Sequence, residues 1–465
     1  MELTIFQHGT VVTMNPRREI LYDGAVVVQG DTILDVGATR DMEQKYPQPD
    51  KVFDCTDKAI FPGLINTHNH LFQTLMKGLG DDMVVTDWSR KVMFPSARYL
   101  TAEDCYAAAV IGCVEGLRSG VTTQLDYMYP HPLPYLSDAV IQVFRDMKLR
   151  CLFGRGYFDA GPEAGKYIRQ TTAEIEADVR RLVKNYQGTE HGRVSIWLAP
   201  SSVWMCSRET WEMTARLMKE LDLPLTIHIS ETKIVRGNAV RVFGATDIDM
   251  LEQLGVLGER TLMVHCVELN QRDIRMTKEL GGKVSYNPVS NMYLSSGVPP
   301  IPLMDLAGLD IGLATDGAAS NNSNDMLEVL KAAALLQKVH TQEPSAITAE
   351  RVLEMATIDG ARAVGLDHQV GSLEPGKKAD LFVFNPARNM KAVPMLHPVS
   401  TLVYSSSNEN VETVMCDGNV LMEDGVITVL DEPQWVERCR RCAEDLSRRS
   451  GTDAIRRRPW RSRTY

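Results

Sequence analysis

Pro62-Gly63-Leu64-Ile65-Asn66-Thr67-His68-Asn69-His70 reads as a short buried strand, Leu64 to Thr67, that ends in two histidines one residue apart. Alternate residues of a strand share a face, so His68 and His70 point the same way beyond its end. Two neutral imidazoles converging in this fashion are half of a site for a borderline metal. Two unconnected histidines at a strand terminus give the same local pattern. The remaining ligands, present or absent at matching positions downstream, decide between the two.

Outward from this strand, short apolar strands alternate with helical segments, the grammar of a parallel sheet of repeated βα units. Eight candidate strands are Gly63–Thr67, Val121–Asp126, Cys151–Tyr157, Val194–Ala199, Leu225–His228, Leu262–His265, Lys283–Tyr286 and Asp310–Ala314. Between them, Ala102–Arg118 opens on a Thr101/Asp104 capping pair and closes at Gly120. Ala173–Asn185, Glu209–Leu221 and Asn324–Leu336 also carry helical spacing. Eight strand–helix repeats over about 300 residues predict an α/β fold, a (β/α)8 TIM-type barrel, with a doubly wound open sheet as the alternative.

On either side the pattern is of strands and turns. Val11–Met14, Ala25–Gln29 and Thr32–Val36 precede the barrel, and Asp380–Phe384, Leu402–Tyr404, Val411–Cys416 and Val426–Leu430 follow it. These flanks most simply pair into one small β-domain built from residues 1–60 and 366–430, around a catalytic barrel at 61–365. Residues 431–465 form a C-terminal helix and basic tail. The helix, Pro433–Arg449, groups Trp435, Cys439, Cys442, Ala443 and Leu446 on one face. With no second Cys or His pair nearby, Cys439-Arg440-Arg441-Cys442 reads as packing rather than a zinc site.

A chain of 465 residues, 44% hydrophobic and 24% charged, is ample for a large core and an accessory domain. The net charge of -10 argues against a nucleic-acid partner. The Arg-rich stretch Arg456–Tyr465 accordingly reads as a solvated or subunit-contacting tail. The N-terminal segment has no basic region followed by an apolar core, and no apolar run approaches the roughly 18–20 residues that cross a bilayer. Nine cysteines, scattered apart from Cys439 and Cys442, suit reduced thiols. The expectation is a cytoplasmic, membrane-free homo-oligomer, a dimer or higher, acting on a small molecule.

Chemistry gathers at strand ends. The fifth strand ends His228-Ile229-Ser230-Glu231, the sixth His265-Cys266 and the eighth Thr315-Asp316-Gly317. In a barrel all strand C-termini open onto one face. His68, His70, His228 and Asp316 supply three imidazoles and one carboxylate, a set suited to zinc or iron(II) with a position left for water. The fourth strand closes Leu198-Ala199-Pro200-Ser201-Ser202, without the lysine that bridges metals in many two-metal barrels, so one divalent ion is expected. Water beside such an ion ionises near neutral pH and needs a base. Glu231, three residues after a ligand, is the candidate proton shuttle. Its other reading is a surface-loop carboxylate. His265 is either a further ligand or the group that orients the attacking water and the developing tetrahedral centre. Asp316 would hold the metal and relay a proton to the leaving group.

These motifs resemble the amidohydrolase superfamily, in its mononuclear aminohydrolase branch. They run through Phe61 to His70, His228-x-x-Glu231, His265-Cys266 and Thr315-Asp316-Gly317-Ala318-Ala319-Ser320-Asn321-Asn322. Met355 to Arg362 and Gly371 to Leu381 look like that family's return from barrel to β-domain. The resemblance implies His68, His70, His228 and Asp316 as metal ligands, Glu231 as proton shuttle and His265 as the orienting histidine. It implies displacement of an exocyclic ring amine by water, on a flat nitrogen-rich heteroaromatic substrate.

The Asp316–Asn322 signature looks like adenosine-type deaminases. Ser96, however, stands where those enzymes are expected to present a ribose-gripping glutamate. Gln73, the run Asn287-Pro288-Val289-Ser290-Asn291 with Tyr293-Leu294, and Pro459-Trp460-Arg461-Ser462 look closest to triazine hydrolases and guanine-type deaminases. Gly317 stands where a dechlorinating relative carries Asn. The substrate expected from these comparisons is a free purine-like base, guanine or a close relative. The alternatives are a triazine hydrolase, by deamination or dechlorination, and an S-adenosylhomocysteine- or methylthioadenosine-type deaminase. Gln73, Trp88, Tyr157, Ser320 and Asn321 are the candidate substrate contacts, with Trp204 placed like Trp88; packing within the loop layer is the competing role for each.

Overall fold

In the computed structural model, which describes residues 2–460 and 462, two sheets organise the chain. The first gathers nine strands from the two flanks: β1 (Leu3–Val12), β2 (Ile20–Gln29), β3 (Thr32–Ala38), β4 (Lys51–Asp54) and β5 (Ala59–Pro62) from one side. The second runs through β6 (Leu64–Asn69), β7 (Val121–Met128), β8 (Arg150–Tyr157), β9 (Val194–Pro200), β10 (Leu225–Ile229), β11 (Thr261–His265), β12 (Lys283–Tyr286) and β13 (Ile311–Leu313). The flanking sheet is completed by β14 (Leu381–Phe384), β15 (Val411–Cys416), β16 (Asn419–Glu423) and β17 (Val426–Ile427). Its order is β17-β16-β15-β14-β5-β1-β2-β3, with β4 on β1. The antiparallel β5–β14 pairing, Ala59 opposite Phe384 through Pro62 opposite Leu381, joins the two ends of the chain.

The eight strands β6 to β13 lie parallel in chain order and curl into a nearly closed barrel. Thr67 Oγ1 donates to the Leu313 carbonyl at 3.0 Å, and the Asp316 N–H to the His68 carbonyl at 3.1 Å, which ties the last strand to the first. Every residue of β6, β7, β8, β11 and β13 is buried, as a sheet covered on both faces requires. All eight expected strands are therefore present. The helix Ala102–Arg118 has the expected reciprocal Thr101/Asp104 cap. Gly120, at φ +89°, turns the chain into β7 where a Cβ would press on the Phe382 ring.

Two readings of the C-terminal flank are corrected. Leu402–Tyr404 lies not in a strand but in the helix Pro398–Ser405, started by Pro398 and capped by the His397 ring. Its Leu402 and Val403 bury against the barrel's last helices, so tertiary burial outweighs the β-branched local sequence. The span Val426–Leu430 shortens to β17, and β16 adds a hairpin across Asp417-Gly418. The two sheets meet through buried charge: Arg150 on β8 donates to Asp380 Oδ1 at 3.0 Å, and Arg193 stands 3.4 Å from Asp417 Oδ2.

The C-terminal helix spans Glu432–Ser450, with Cys439, Cys442 and Leu446 buried against the Ala102–Arg118 helix. All nine cysteines are free and buried. Among the described residues no helix is long and apolar enough to cross a membrane. Arg461 and residues 463–465 of the basic tail lie outside the described residues.

Candidate active site

The C-terminal ends of β6, β10, β11 and β13 deliver His68, His70, His228, His265 and Asp316 to one face of the barrel. There the backbone leaves regular strand geometry. Ser230, His265, Cys266 and Asp316 adopt φ of +44°, +70°, +55° and +60°. Left-handed non-glycine residues cost roughly 1–3 kcal/mol each and persist where their surroundings fix them. At Ser230 the fixing group is Asp247, a buried carboxylate whose proton affinity burial pushes up to about 6. It accepts from both the N–H and the hydroxyl of Ser230.

Four donor atoms converge. His68 Nε2 lies 3.1 Å from His70 Nε2, which lies 3.2 Å from His228 Nε2. Asp316 Oδ1 is 3.3 Å from both His68 and His70 Nε2. Tetrahedral bonds of about 2.0–2.1 Å place neighbouring donors about 3.3 Å apart, so these four contacts match the spacing of donors that share one first-row ion such as zinc. The ring orientations fit as well: His70 Nδ1 is 2.6 Å from the Tyr127 carbonyl and His228 Nδ1 2.7 Å from the Ser201 carbonyl. Those carbonyls take the Nδ1 protons and leave the Nε2 lone pairs facing inward. Burial drives the imidazoles toward the neutral form, down to about 4 at His68 and about 3 at His70 and His228.

Burial works against the Asp316 charge, but the bond to His68 and the field of the neighbouring rings hold its carboxyl well below the usual range. Oδ1 also accepts the Gly317 N–H at 2.8 Å, while Oδ2 accepts the hydroxyls of Ser290, at 2.5 Å, and Ser320, at 3.1 Å.

Glu231 and His265 face each other beside this centre, with Oε2 4.0 Å from Nε2. The Ser296 hydroxyl donates to Glu231 Oε1 at 2.8 Å, which leaves Oε2 toward the cavity. His265 Nδ1 lies 2.9 Å from Asn291 Oδ1 and 3.2 Å from Asn287 Nδ2. The shorter contact places the proton on Nδ1. His68, His228 and His265 also offer nitrogens within 4.8 Å of one another, so His265 borders the donor set.

A cavity of about 400 Å3 opens over these groups, with His70, His228, Glu231, His265 and Asp316 at its floor. Of the anticipated contacts, Trp88, Ser320 and Trp204 line it. The Trp88 Nε1–H is tied to the Ala319 carbonyl at 2.9 Å, which presents the ring edge-fixed to the cavity. Three candidates stand off the wall. Tyr157 points away from the barrel axis by strand alternation and bonds Thr214 at 2.8 Å. Asn321 folds back to donate to the Thr315 carbonyl at 2.8 Å. Gln73 lies beneath His70, donating to the Tyr129 hydroxyl at 3.2 Å. Ser96 is buried in the helical segment after β6 that also carries Met93 and Phe94.

Sequence reasoning missed Tyr129, Met93 and Phe94 on the wall, and Asp247, Ser290, Asn291 and Ser296 as supports. The run Asn287–Asn291 was the signal for two of these supports: its Ser290 bonds the candidate ligand Asp316 and its Asn291 bonds His265.

The amidohydrolase family model matches residues 59–421. The chain is 39% identical to a 5'-deoxyadenosine deaminase of Methanothermobacter thermautotrophicus, over 91% of this chain and 95% of that protein. It is 36% identical to a 5-methylthioadenosine/S-adenosylhomocysteine deaminase of Carboxydothermus hydrogenoformans, with 93% and 95% covered. An adenosine deaminase structure from Xanthomonas campestris with bound zinc matches at a TM-score of 0.89 and 27% identity, over 96% of this chain and 98% of that one.

Proposed function

The chain belongs to the amidohydrolase family, and on that premise we propose a metal-dependent deaminase that hydrolyses the exocyclic amine of an adenosine-type nucleoside. As a member of that family it is a hydrolytic enzyme acting on C–N bonds. The observation that carries the finer reading is the form of the cavity: reacting groups at the floor, and a long apolar wall of Met93, Phe94, Trp204, Met205 and Ile234 above. Its volume of about 400 Å3 falls in the range of about 300–1,000 Å3 that encloses drug-sized ligands.

A nucleoside fills such a space with its base at the floor and its sugar against the wall, where Thr86, Ser89, Ser202 and Asn238 offer hydrogen bonds. Guanine, favoured on sequence grounds, has weaker support. A free base would leave the upper wall without an occupant, and both relatives named above are adenosine-type deaminases.

His68, His70, His228 and Asp316 would hold the ion, zinc or iron(II) by donor type. When bound, a divalent cation acts as a Lewis acid that brings the ionisation of water close to neutral pH. Glu231 Oε2 takes a proton from the attacking water and delivers it to the ring nitrogen beside the carbon under attack. His265 Nε2 orients the water and then the developing tetrahedral centre. Asp316, kept ionised by three donors, accepts the second proton and returns it to the departing nitrogen. Water and the aminopurine are consumed; the oxo-purine and ammonia leave.

Ammonia release by the zinc-loaded chain should be measured across 5'-deoxyadenosine, 5'-methylthioadenosine, S-adenosylhomocysteine, adenosine, guanine and a chlorotriazine. The expected result is ammonia from one or more of the adenosine-type nucleosides. Ammonia from guanine alone, or chloride release without ammonia, would overturn the proposal.

A further inference from the structure

One segment, Asn287–Ser296, supports three reacting groups at once. Asn291 holds His265, Ser290 holds Asp316, and Ser296 holds Glu231. Its helical part, Pro288–Tyr293, is six residues long. A helix this short has no stability of its own in water, so its orientation depends on what grips it from outside.

The inner face of the helix packs on Met326–Thr341, and its outer end is gripped at Asp81. The Tyr293 hydroxyl donates to Asp81 Oδ1. The Asn322 side-chain amide reaches the same oxygen at 3.1 Å and the Tyr293 hydroxyl at 3.0 Å. Asn322 Oδ1 accepts the Gly78 N–H at 2.8 Å. Arg458 donates to Asp81 Oδ2 and, at 3.0 Å, to the Gly78 carbonyl. Four stretches of chain thus meet on one carboxylate: the loop after β6, the segment after β12, the loop after β13 and the C-terminal end. Asp81, Tyr293, Asn322 and Arg458 all stand apart from the cavity lining.

We propose that Asp81 is a positioning residue for the deamination: it anchors the outer end of Asn287–Ser296 and so the aim of His265, Asp316 and Glu231, with Arg458 holding Asp81 in place. The inference rests on the deaminase reading above. Without the carboxylate, Tyr293 loses its acceptor and the six-residue helix can tilt. A tilt that shifts His265 or Glu231 by about 1 Å is enough to cost about 100-fold in rate.

The test uses the zinc-loaded full chain with Asp81→Ala, Asp81→Asn, Tyr293→Phe and Arg458→Ala. Arg457→Ala, on a residue paired with Asp453, is the control. The readouts are kcat and KM per bound zinc, and amide hydrogen exchange in the 287–296 peptide. Asp81→Ala should lower kcat about 10- to 100-fold while KM stays within about threefold, because the clamp touches no substrate. Asp81→Asn, which keeps an oxygen for Tyr293, should recover part of the loss. Adding Tyr293→Phe to Asp81→Ala should cost little more, since both break one link. Exchange in 287–296 should quicken in Asp81→Ala and stay unchanged in Arg457→Ala.

A kcat within about twofold of the parent, or a fall in kcat with exchange unaltered, overturns the proposal. If Asp81→Ala does not fold, Tyr293→Phe and Arg458→Ala are read by the same criteria. If the parent releases no ammonia from any nucleoside, the deaminase reading fails, and exchange alone decides the clamp: faster exchange supports it and unchanged exchange overturns it.

Discussion

The Asp247 carboxylate accepts both the backbone N–H of Ser230, at 3.0 Å, and its hydroxyl, at 2.7 Å. Ser230 sits between the candidate ligand His228 and the acid–base candidate Glu231, with φ at +44°. The two bonds hold that left-handed turn and so set where Glu231 emerges. Asp247→Ala should therefore release the turn and misplace Glu231, lowering kcat about 10- to 100-fold. His228 precedes the turn on β10 and keeps its Ser201 anchor, so zinc per chain should stay near the parent level. Steady-state kinetics with elemental analysis checks both halves; a large loss of zinc would mean that Asp247 supports the donor set instead.

Glu231→Gln preserves shape and the Ser296 contact but removes the base. The expected outcome is a fall in kcat of about 10²–10⁴-fold, the usual contribution of a positioned acid–base group, with metal content intact. Retained activity would transfer the proton step to another residue.

The buried imidazoles give the metal-free protein a characteristic pH response. An unfolded histidine binds its proton near 6.5. In the fold the value drops to about 4 at His68 and about 3 at His70 and His228, in each case first through burial. At these three groups the unfolded chain then binds more protons throughout that interval, so their contribution to stability falls as pH decreases below about 6.5 and levels off only near the folded values. Burial raises the carboxyls of Asp126, Asp247 and Asp325 to about 7, 6 and 6, and these act in the opposite direction. The histidine contribution to the melting temperature of the chelator-stripped protein is therefore read between about pH 6.5 and pH 4 as a difference between proteins. His70→Asn, which removes one titrating group, should flatten that decline. Identical slopes in the two proteins would refute the assignment.

The candidate ligands were legible because the barrel imposes a simple rule: each parallel strand delivers its last residues to the same face. His68, His70, His228, His265 and Asp316 could be read from strand ends alone. Their supports could not. Ser290 and Ser296 act across 26 and 65 residues of chain, on Asp316 and Glu231, and nothing in local spacing announces such pairs. Proximity in sequence to a candidate ligand does not by itself put a side chain on the cavity wall. Gln73 and Asn321 lie within five residues of His70 and Asp316, yet each turns its amide into the protein, toward Tyr129 and the Thr315 carbonyl. In the C-terminal flank, Leu402-Val403-Tyr404 has strand-like composition, but Pro398 and the His397 cap commit it to a helix. Substrate choice was least legible, because the wall residues Met93 and Phe94 come from a segment between β6 and β7 whose fold no strand pattern dictates.

Gly317 gives the last prediction, through its close approach to Gln73. A Cβ at position 317 would stand 2.1 Å from Gln73 Oε1 and 2.9 Å from His70 Cβ. Any side chain there must displace the amide, the metal-facing histidine or the Asp316 turn, whose Oδ1 accepts the Gly317 N–H. Gly317→Ala should thus weaken zinc binding and lower kcat together, through His70 and Asp316, without altering the cavity wall. Trimming the obstacle tests the cause: in Gly317→Ala/Gln73→Ala the nearest contact is gone, and zinc affinity should recover part of the way toward that of Gln73→Ala alone. Zinc competition titrations against a chelator measure all four corners of this cycle. Strictly additive losses would show that Gly317 is needed for its backbone alone and that Gln73 plays no part in excluding a side chain.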